Sequence, residues 1–332
     1  MANILVTGGA GYVGAHCVKA LAAQGHSCVV FDNLLRGHAE FVRWGPLVRG
    51  DVRDAAALAQ LFSAHRFDAV LHCAARAEVP LSIQDPEIFH DINVNGTRTL
   101  LSAMRDAGID KLVFSSTCSV YGELTQVPVT ESAPCRPINP YGETKLQCEA
   151  MMDESRRDWG LESVRLRYFN AAGADAGGEI GEDHTPETHL VPRILDVAMG
   201  RRPEVAVFGD DFQTPDGTAV RDFIHVTDLA RAHATAMRQL LDGGGSLAVN
   251  LGTGVGASVN EVIAAARTAT GHALPARHHP RRLGDPATLV ADASLAGKVL
   301  AWKPEFDLRR IMADAWRWHQ QRFAGRPAAA EG

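Results

Sequence analysis

The sequence predicts an α/β protein: a doubly wound parallel sheet with helices on both faces, followed by a smaller mixed α/β part. Three observations carry this expectation. Short β-rich runs alternate with longer helical ones through the first half of the chain, and strand–helix–strand repetition is the pattern of a covered parallel sheet. The connections between the runs are short. The first β-rich run ends in a glycine turn that opens directly into a helical pattern.

In chain order, the strand candidates are 4–7, 27–31, 47–49, 69–72, 112–115 and 164–168, with helical segments near 12–24, 54–65, 87–107 and 141–159. Within the first helix Gly14, Cys17, Val18 and Leu21 recur at i, i+3, i+4 and i+7, the spacing of one buried stripe. After residue 171 the texture changes to small, Gly-rich sequence, and a patchwork of Pro, Gly and charged residues continues to residue 222. A strand at 248–251 and helices near 258–270 and 307–322 follow. This divides the chain into 1–173 and 174–325, with segments near 218–250 returning to the first part. The tail 326–332 has too little apolar content to pack and is expected to fray.

The chain has 332 residues, 46% hydrophobic and 22% charged, enough to bury a sizeable core. No run approaches the roughly 18 consecutive apolar residues of a membrane span. The chain enters the strand-like run Asn3-Ile4-Leu5-Val6 at once, so no signal peptide is expected. Cys17, Cys28, Cys73, Cys118, Cys135 and Cys148 are scattered, with no C-x-x-C pair and no His–Cys zinc spacing. They read as small core hydrophobes in a reducing, cytoplasmic compartment, and no metal site is expected. A formal net charge of -6 argues against nucleic-acid or membrane partners. A polyphosphate ligand would have to be held by a few well-placed arginines.

The glycine turn reads Gly8-Gly9-Ala10-Gly11-Tyr12-Val13-Gly14. Its glycines let backbone N–H groups approach a pyrophosphate, which then sits on the positive end of the following helix. Alone this is weak, because any tight turn favours glycine. The next strand, however, ends at Phe31-Asp32-Asn33. Asp32 stands about 20 residues beyond the glycines, where an acid accepts from an adenosine ribose. A carboxylate there repels a 2′-phosphate and favours NAD over NADP, although Arg36 stands close by. Gly50-Asp51-Val52 could reach the adenine, or could be a turn and helix cap; both readings stand.

Tyr141-Gly142-Glu143-Thr144-Lys145 follows Pro140 at a helix start. The i, i+4 spacing puts phenol and ammonium on one face, and a neighbouring cation favours the phenolate. A tyrosine tuned in this way can act as a general base on a hydroxyl. In isolation the motif is merely an amphipathic helix; behind a dinucleotide turn it is chemistry. Ser115-Ser116-Thr117 closes a parallel strand at the end where ligands bind.

Gly8 to Gly14, Asp32-Asn33, Ser115-Ser116-Thr117 with Val120-Tyr121-Gly122, and Tyr141-x-x-x-Lys145 together resemble the extended short-chain dehydrogenases, which carry a Rossmann-type sheet. Arg167-Tyr168-Phe169-Asn170-Ala171-Ala172-Gly173-Ala174, Val220-Arg221-Asp222-Phe223-Ile224-His225-Val226 and Arg281-Arg282-Leu283-Gly284-Asp285 look like the UDP-galactose 4-epimerases within that family. The match runs nearly end to end in the same order.

The resemblance implies tightly held NAD, regenerated in each turnover, and a UDP-sugar substrate. It makes Tyr141 the base at the sugar O4, Lys145 the group that lowers its pKa and binds the nicotinamide ribose, and Thr117 the orienter of O4. Gly8, Gly11, Tyr12, Val13, Gly14, Asp32, Asn33, Asp51, Val52, Asn93, Ser115 and Phe169 would contact the cofactor. Asn170, His189, Leu190, Ala206, Phe208, Arg221, Arg282 and Asp285 would hold the UDP sugar, since arginine forks suit phosphate oxygens. Standing alone, Arg221-Asp222 would be a local ion pair, and Arg281 is expected to be a solvated turn residue. The family usually forms dimers through two helices, here those near 87–107 and 141–159.

The sequence departs from the family pattern in places. No lysine aligns in Ala74-Ala75-Arg76-Ala77-Glu78, where some members use one beside the nicotinamide. His189 replaces an Asn, and Leu289 replaces a bulky Tyr that limits the sugar pocket, so N-acetylated sugars are expected to be tolerated. A 4,6-dehydratase is disfavoured, because Cys118-Ser119 follows Thr117 in place of an Asp-Glu pair. UDP-pentose or UDP-glucuronate 4-epimerase remain alternatives; a non-catalytic NAD-binding protein would be expected to lack Tyr141 or Lys145.

Overall fold

The computed structural model describes residues 1–124, 126–282 and 284–326. The last six residues, most of the tail expected to fray, and Leu283 of the Arg281–Asp285 motif lie outside the described residues. The strands, in chain order, are β1 (Asn3–Thr7), β2 (Ser27–Asp32), β3 (Leu47–Arg49), β4 (Ala69–His72), β5 (Lys111–Ser115), β6 (Glu162–Tyr168), β7 (Asn170–Ala172), β8 (Val205–Phe208), β9 (Val220–His225), β10 (Leu247–Leu251), β11 (Gly256–Ser258), β12 (Ala276–His279) and β13 (Thr288–Leu289). Seven of them form a sheet in the order β10-β6-β5-β4-β1-β2-β3, every pair parallel. The strand order reverses between β1 and β4, and that point opens a crevice at the carboxyl ends of the strands.

Alternation along β1 explains the two covered faces. Ile4 and Val6 join Cys17, Val18 and Leu21 of the helix Tyr12–Ala23 and Leu229, Met237 and Leu240 of the helix Val226–Leu241. Leu5 points the other way, into Val29, Phe31, Leu58, Leu100, Met104 and Met152. Each fully buried aliphatic side chain of this kind contributes about 1.5–3 kcal/mol. The stripe expected on the first helix is therefore the stripe that is buried.

A second core gathers Ile194, Leu195, Val205, Val207, Phe223, Val262, Ile263, Ile311 and Met312. Its centre is β9, paired with β7, β11 and β13, while β8 and β12 form a separate pair. The helix Val259–Thr270 starts in a capping box: Ser258 accepts from Glu261 N and the Glu261 carboxylate accepts from Ser258 N. Directly after β9 the chain returns to the large sheet through the helix Val226–Leu241 and β10.

The helix expected at 87–107 is interrupted. Pro86–Phe89 and Gly96–Ala107 are α-helical, and His90–Asn95 between them winds as a π-helix. The cause is local competition for a carbonyl: Asn93 O accepts from Thr97 Oγ1 at 2.6 Å and from Cys148 Sγ at 3.3 Å, which loosens the regular ladder. The short helix Val79–Gln84 and the strands β8 and β12 had no expectation in the sequence.

Candidate active site

The turn after β1 requires glycine at two points for packing reasons. Gly8 has φ +71°, and a Cβ there would lie 2.5 Å from Ala74 N. A Cβ on Gly14 would lie 2.1 Å from Gly8 O, so the helix can approach the strand only without one. The helix Tyr12–Ala23 then presents its unpaired first N–H groups at the crevice. This cradle fits a dinucleotide pyrophosphate.

Asp32, at the end of β2, accepts from Ala10 N at 3.0 Å and Leu34 N at 2.8 Å. Burial raises its pKa while these donors oppose the rise, and it ties two loops of the cradle together. Asn33 Nδ2 donates to Asp51 at 2.8 Å. Arg53 binds the same carboxylate and holds it well below the usual carboxylate range. Val52 is buried against the core. Asn93 is fully engaged with other protein groups: its Oδ1 accepts from Arg76 N at 2.8 Å and its Nδ2 reaches Arg76 O and Thr144 Oγ1, both at 3.0 Å. It braces the loop after β4.

The helix Pro140–Trp159 begins with Asn139, whose Oδ1 accepts from Gly142 N at 2.9 Å. Tyr141 and Lys145 lie on its buried face. Two turns into the helix, Glu149 accepts from Ser116 Oγ at 2.6 Å and from Arg167 of β6 at 2.5 Å, so the helix is anchored over the ends of β5 and β6. Lys145 Nζ donates to Ser115 O at 2.8 Å and lies 4.6 Å from the Phe114 ring centroid. Ser115 Oγ pairs with His233 Nε2 at 2.7 Å.

The electrostatics depart from the expectation that Lys145 lowers the Tyr141 pKa. Burial pushes the phenol above its ordinary value, with a Thr117 hydrogen bond pulling the other way. Burial also lowers the pKa of Lys145. The physical reason is desolvation: in a dry site the charged form of each group loses hydration that its fixed neighbours do not replace.

One cavity of about 620 Å³ gathers much of the expected set. Gly11, Tyr12, Val13 and Gly14 line its cradle end, Thr117, Tyr141, Lys145 and Phe169 its middle, and Asn170, His189, Leu190, Ala206, Phe208, Arg221, Arg282, Asp285 and Leu289 its far end. Gly8, Asp32, Asn33, Asp51, Val52, Asn93 and Ser115 do not line it.

At the far end Arg282 Nε donates to Asp285 at 3.0 Å, and its guanidinium carbon lies 4.7 Å from the Phe208 ring centroid. Arg221 approaches the same carboxylate at 3.8 Å, and burial lowers its pKa. Two guanidinium groups against one carboxylate leave an excess positive charge facing the cavity. Arg221 does not pair with its sequence neighbour Asp222, which is occupied by Thr253 N, Gly254 N and Ala291 N. Arg281 is exposed, as expected of a solvated turn residue; it pairs with the exposed Asp211 at 2.5 Å and lies 4.1 Å from the Phe212 ring centroid.

Several site groups were not anticipated. Arg36 lines the cavity and pairs with Glu78 at 3.0 Å. Glu182, His184 and Glu187 gather around the expected His189 at the cavity edge. Burial opposes charge on His189, but Glu182, at 2.5 Å, and Glu187 outweigh it and push the pKa up to about 9. The spacing E-x-H-x-x-E-x-H at 182–189 was the available signal.

The family model for the NAD dependent epimerase/dehydratase family matches residues 4–252. A UDP-glucose 4-epimerase of Rhizobium meliloti is 52% identical over 323 residues, covering 97% of this chain and 98% of that protein. One from Halalkalibacterium halodurans is 49% identical over 319 residues, 96% of each. Among solved structures, a Brucella ovis UDP-glucose 4-epimerase in complex with NAD superposes with a TM-score of 0.93 at 47% identity, covering 96% of this chain and 98% of that one. A Stenotrophomonas maltophila enzyme with bound NAD and formylated UDP-arabinopyranose gives 0.94 at 44%, covering 97% and 99%. With the cradle, the Tyr141–Lys145 face and the paired arginines in one cavity, these likenesses make the chain a member of the NAD-dependent epimerase/dehydratase family.

Proposed function

We propose that the protein inverts C4 of a UDP-hexose, interconverting UDP-galactose and UDP-glucose with bound NAD. The observation that carries this reading is the single cavity running from the glycine cradle past Tyr141 to Arg221 and Arg282. NAD, when bound, supplies the redox chemistry, accepting hydride from the sugar C4 and returning it. The cradle of Gly8, Gly11 and Gly14, with Tyr12 and Val13, would hold its pyrophosphate, and Asp32 retains lone pairs for the adenosine ribose. Asn33, Asp51 and Val52 would support that end, Asn93 and Ser115 would support the end beside Lys145, and Phe169 would meet the cofactor in the cavity.

Tyr141 takes the proton from O4, and Thr117 orients the hydroxyl. Because burial raises the phenol's pKa, proton acceptance depends on positive charge brought to the site, from Lys145 and from the oxidised nicotinamide ring. The 4-keto sugar then turns about its diphosphate link and presents its other face. Arg221 and Arg282 hold the diphosphate during that turn, with Asp285 on the uridine ribose and His189, Asn170, Leu190, Ala206 and Phe208 completing the pocket. Enclosure keeps ketone and reduced cofactor together.

Proton NMR of protein purified without added cofactor and incubated with UDP-galactose tests this. UDP-glucose should appear without net NADH, and Tyr141→Phe should lose about 10²–10⁴ in rate while retaining NAD. No conversion with NAD added overturns the reading. Leu289 lines the cavity as a shorter residue than Tyr, so UDP-N-acetylgalactosamine should turn over in the same assay.

Dehydration is the less favoured chemistry. Cys118 is buried and its thiol is pushed up to about 12, so it is no acid for a leaving hydroxyl. A UDP-pentose or UDP-glucuronate substrate is the less favoured reading beside the UDP-glucose 4-epimerase relatives. We further propose a homodimer packed through the helices Gly96–Ala107 and Pro140–Trp159, located in the cytoplasm, where the six free cysteines suit a reducing medium. Among the described residues no helix is long and apolar enough to cross a membrane.

A further inference from the structure

Between the sugar cavity and a second cavity of about 610 Å³ stand Glu182, His184, Glu187 and His189. One ligand atom from each lies within 4.8 Å of the others. A single eight-residue segment supplies all four, so one local fold assembles the set. Glu182 is buried, and its backbone carbonyl accepts from Trp318 Nε1 at 3.4 Å. His189 N donates to Glu187 Oε1 at 2.7 Å. The two imidazoles meet edge to face with centroids 5.3 Å apart.

The spacing suits a tetrahedral ion. His184 Nδ1 lies 3.6 Å from Glu182 Oε1 and 3.5 Å from Glu187 Oε2. Ligand atoms about 3.4 Å apart are what metal–ligand bonds of about 2.1 Å produce in a tetrahedron. His189 Nδ1, hydrogen-bonded to Glu182 Oε1 at 2.5 Å, is closer, and ligation opens that contact by about 1 Å to the tetrahedral spacing. The two carboxylates face two imidazoles, whose charged forms would balance them. A divalent ion with two neutral imidazoles supplies the same charge while using all four side chains as ligands. Mixed nitrogen and carboxylate donors select Zn²⁺, Co²⁺ or Ni²⁺ over Mg²⁺ and Ca²⁺. Four protein ligands leave no open position, so such a site is structural or modulatory rather than catalytic.

We propose that Glu182, His184, Glu187 and His189 form a divalent transition-metal site of the zinc class at the edge of the sugar cavity. An ion there holds the segment 182–189 in one conformation and turns His189 from the sugar cavity toward the metal.

The test uses chelator-treated, tag-free holoprotein with its NAD in place, titrated with Zn²⁺ by calorimetry and with Co²⁺ by visible absorption. The expected result is one Zn²⁺ per chain, the intense visible bands of four-coordinate Co²⁺, and no Mg²⁺ heat. His184→Ala and Glu187→Gln should each weaken Zn²⁺ about tenfold or more, while the exposed His272→Ala binds as wild type. Retained NAD and an unchanged thermal melt show that each variant is folded. Absence of one-to-one binding, a six-coordinate Co²⁺ spectrum, or wild-type affinity in folded His184→Ala and Glu187→Gln each overturns the proposal. Should a variant not fold, the Co²⁺ spectrum of the wild type decides. None of these readouts involves turnover, so failure here leaves the proposed reaction untouched.

Discussion

Arg221 shows how a single side chain acquires its task. Its side chain is 15% exposed and donates to Val220 O at 2.9 Å; its nearest acid, Asp285, lies 3.8 Å away and is already bonded to Arg282. A half-buried guanidinium with so distant an acid is strongly drawn to a diphosphate, and the bond is charge-assisted. Removing one hydrogen bond to a charged group costs about 1.5–3 kcal/mol, which is roughly 10–100-fold in an equilibrium constant. Arg221→Ala should therefore raise KM for the UDP sugar by about that factor, with kcat nearly unchanged, because the contact is equal in ground and transition states. Steady-state kinetics with UDP-galactose check this. A fall in kcat at constant KM would mean that Arg221 acts on the reacting ring.

At the scale of elements, the helix Pro140–Trp159 depends on a buried ion pair. Glu149 and Arg167 are 3% and 9% exposed in their side chains, so losing either leaves the other charge dry. Ser116 and Tyr121 complete the network. Breaking such a pair from one side costs about 3–5 kcal/mol, whereas replacing both partners with apolar residues can be nearly neutral. Glu149→Ala should lower stability by about that amount in denaturant titration, and Glu149→Leu with Arg167→Met should recover much of it. A double variant as unstable as the single one would show that the network, rather than a stranded charge, sets the helix position. None of this was visible locally. Glu149 sits at an ordinary helical position, and only the register of β5 with β6 brings Arg167 beneath it. The Tyr141–Lys145 spacing, by contrast, was legible, because i, i+4 geometry belongs to the helix itself.

For the whole molecule, three buried histidines set an acid limit. His72 bonds Thr7 Oγ1 and Thr97 Oγ1, and burial, aided by Lys145, lowers its pKa to about 3. Burial lowers His233, which bonds Ser115, to about 4. It lowers His16 also to about 4, with the Tyr12 carbonyl and Asp175 opposing and His225 and Lys19 assisting. Each folded pKa lies below the unfolded value of 6.5. Between the two, the unfolded chain binds more protons, so stability rises with pH across that window and falls as pH drops below 6.5. Each group contributes a slope of up to about 1.4 kcal/mol per pH unit. The urea midpoint should hold near neutrality and fall steadily from pH 6.5 to 4.5. A flat profile there would mean that these rings are already charged in the fold.

The sequence by itself determined what depends on local order. Alternating runs specify a covered parallel sheet, the glycine turn specifies a strand-to-helix cradle, and Tyr141 and Lys145 share a face whatever surrounds them. Those features follow from backbone geometry over a few residues. Only the tertiary structure decided what depends on neighbours far along the chain. It turned Arg221 from Asp222 to Asp285, used Asn93 to brace the Arg76 loop, raised rather than lowered the Tyr141 phenol, and set four ligand-type side chains of 182–189 at the edge of the cavity. Burial and charge are sums over everything packed nearby, and the chain brings those groups together only on folding.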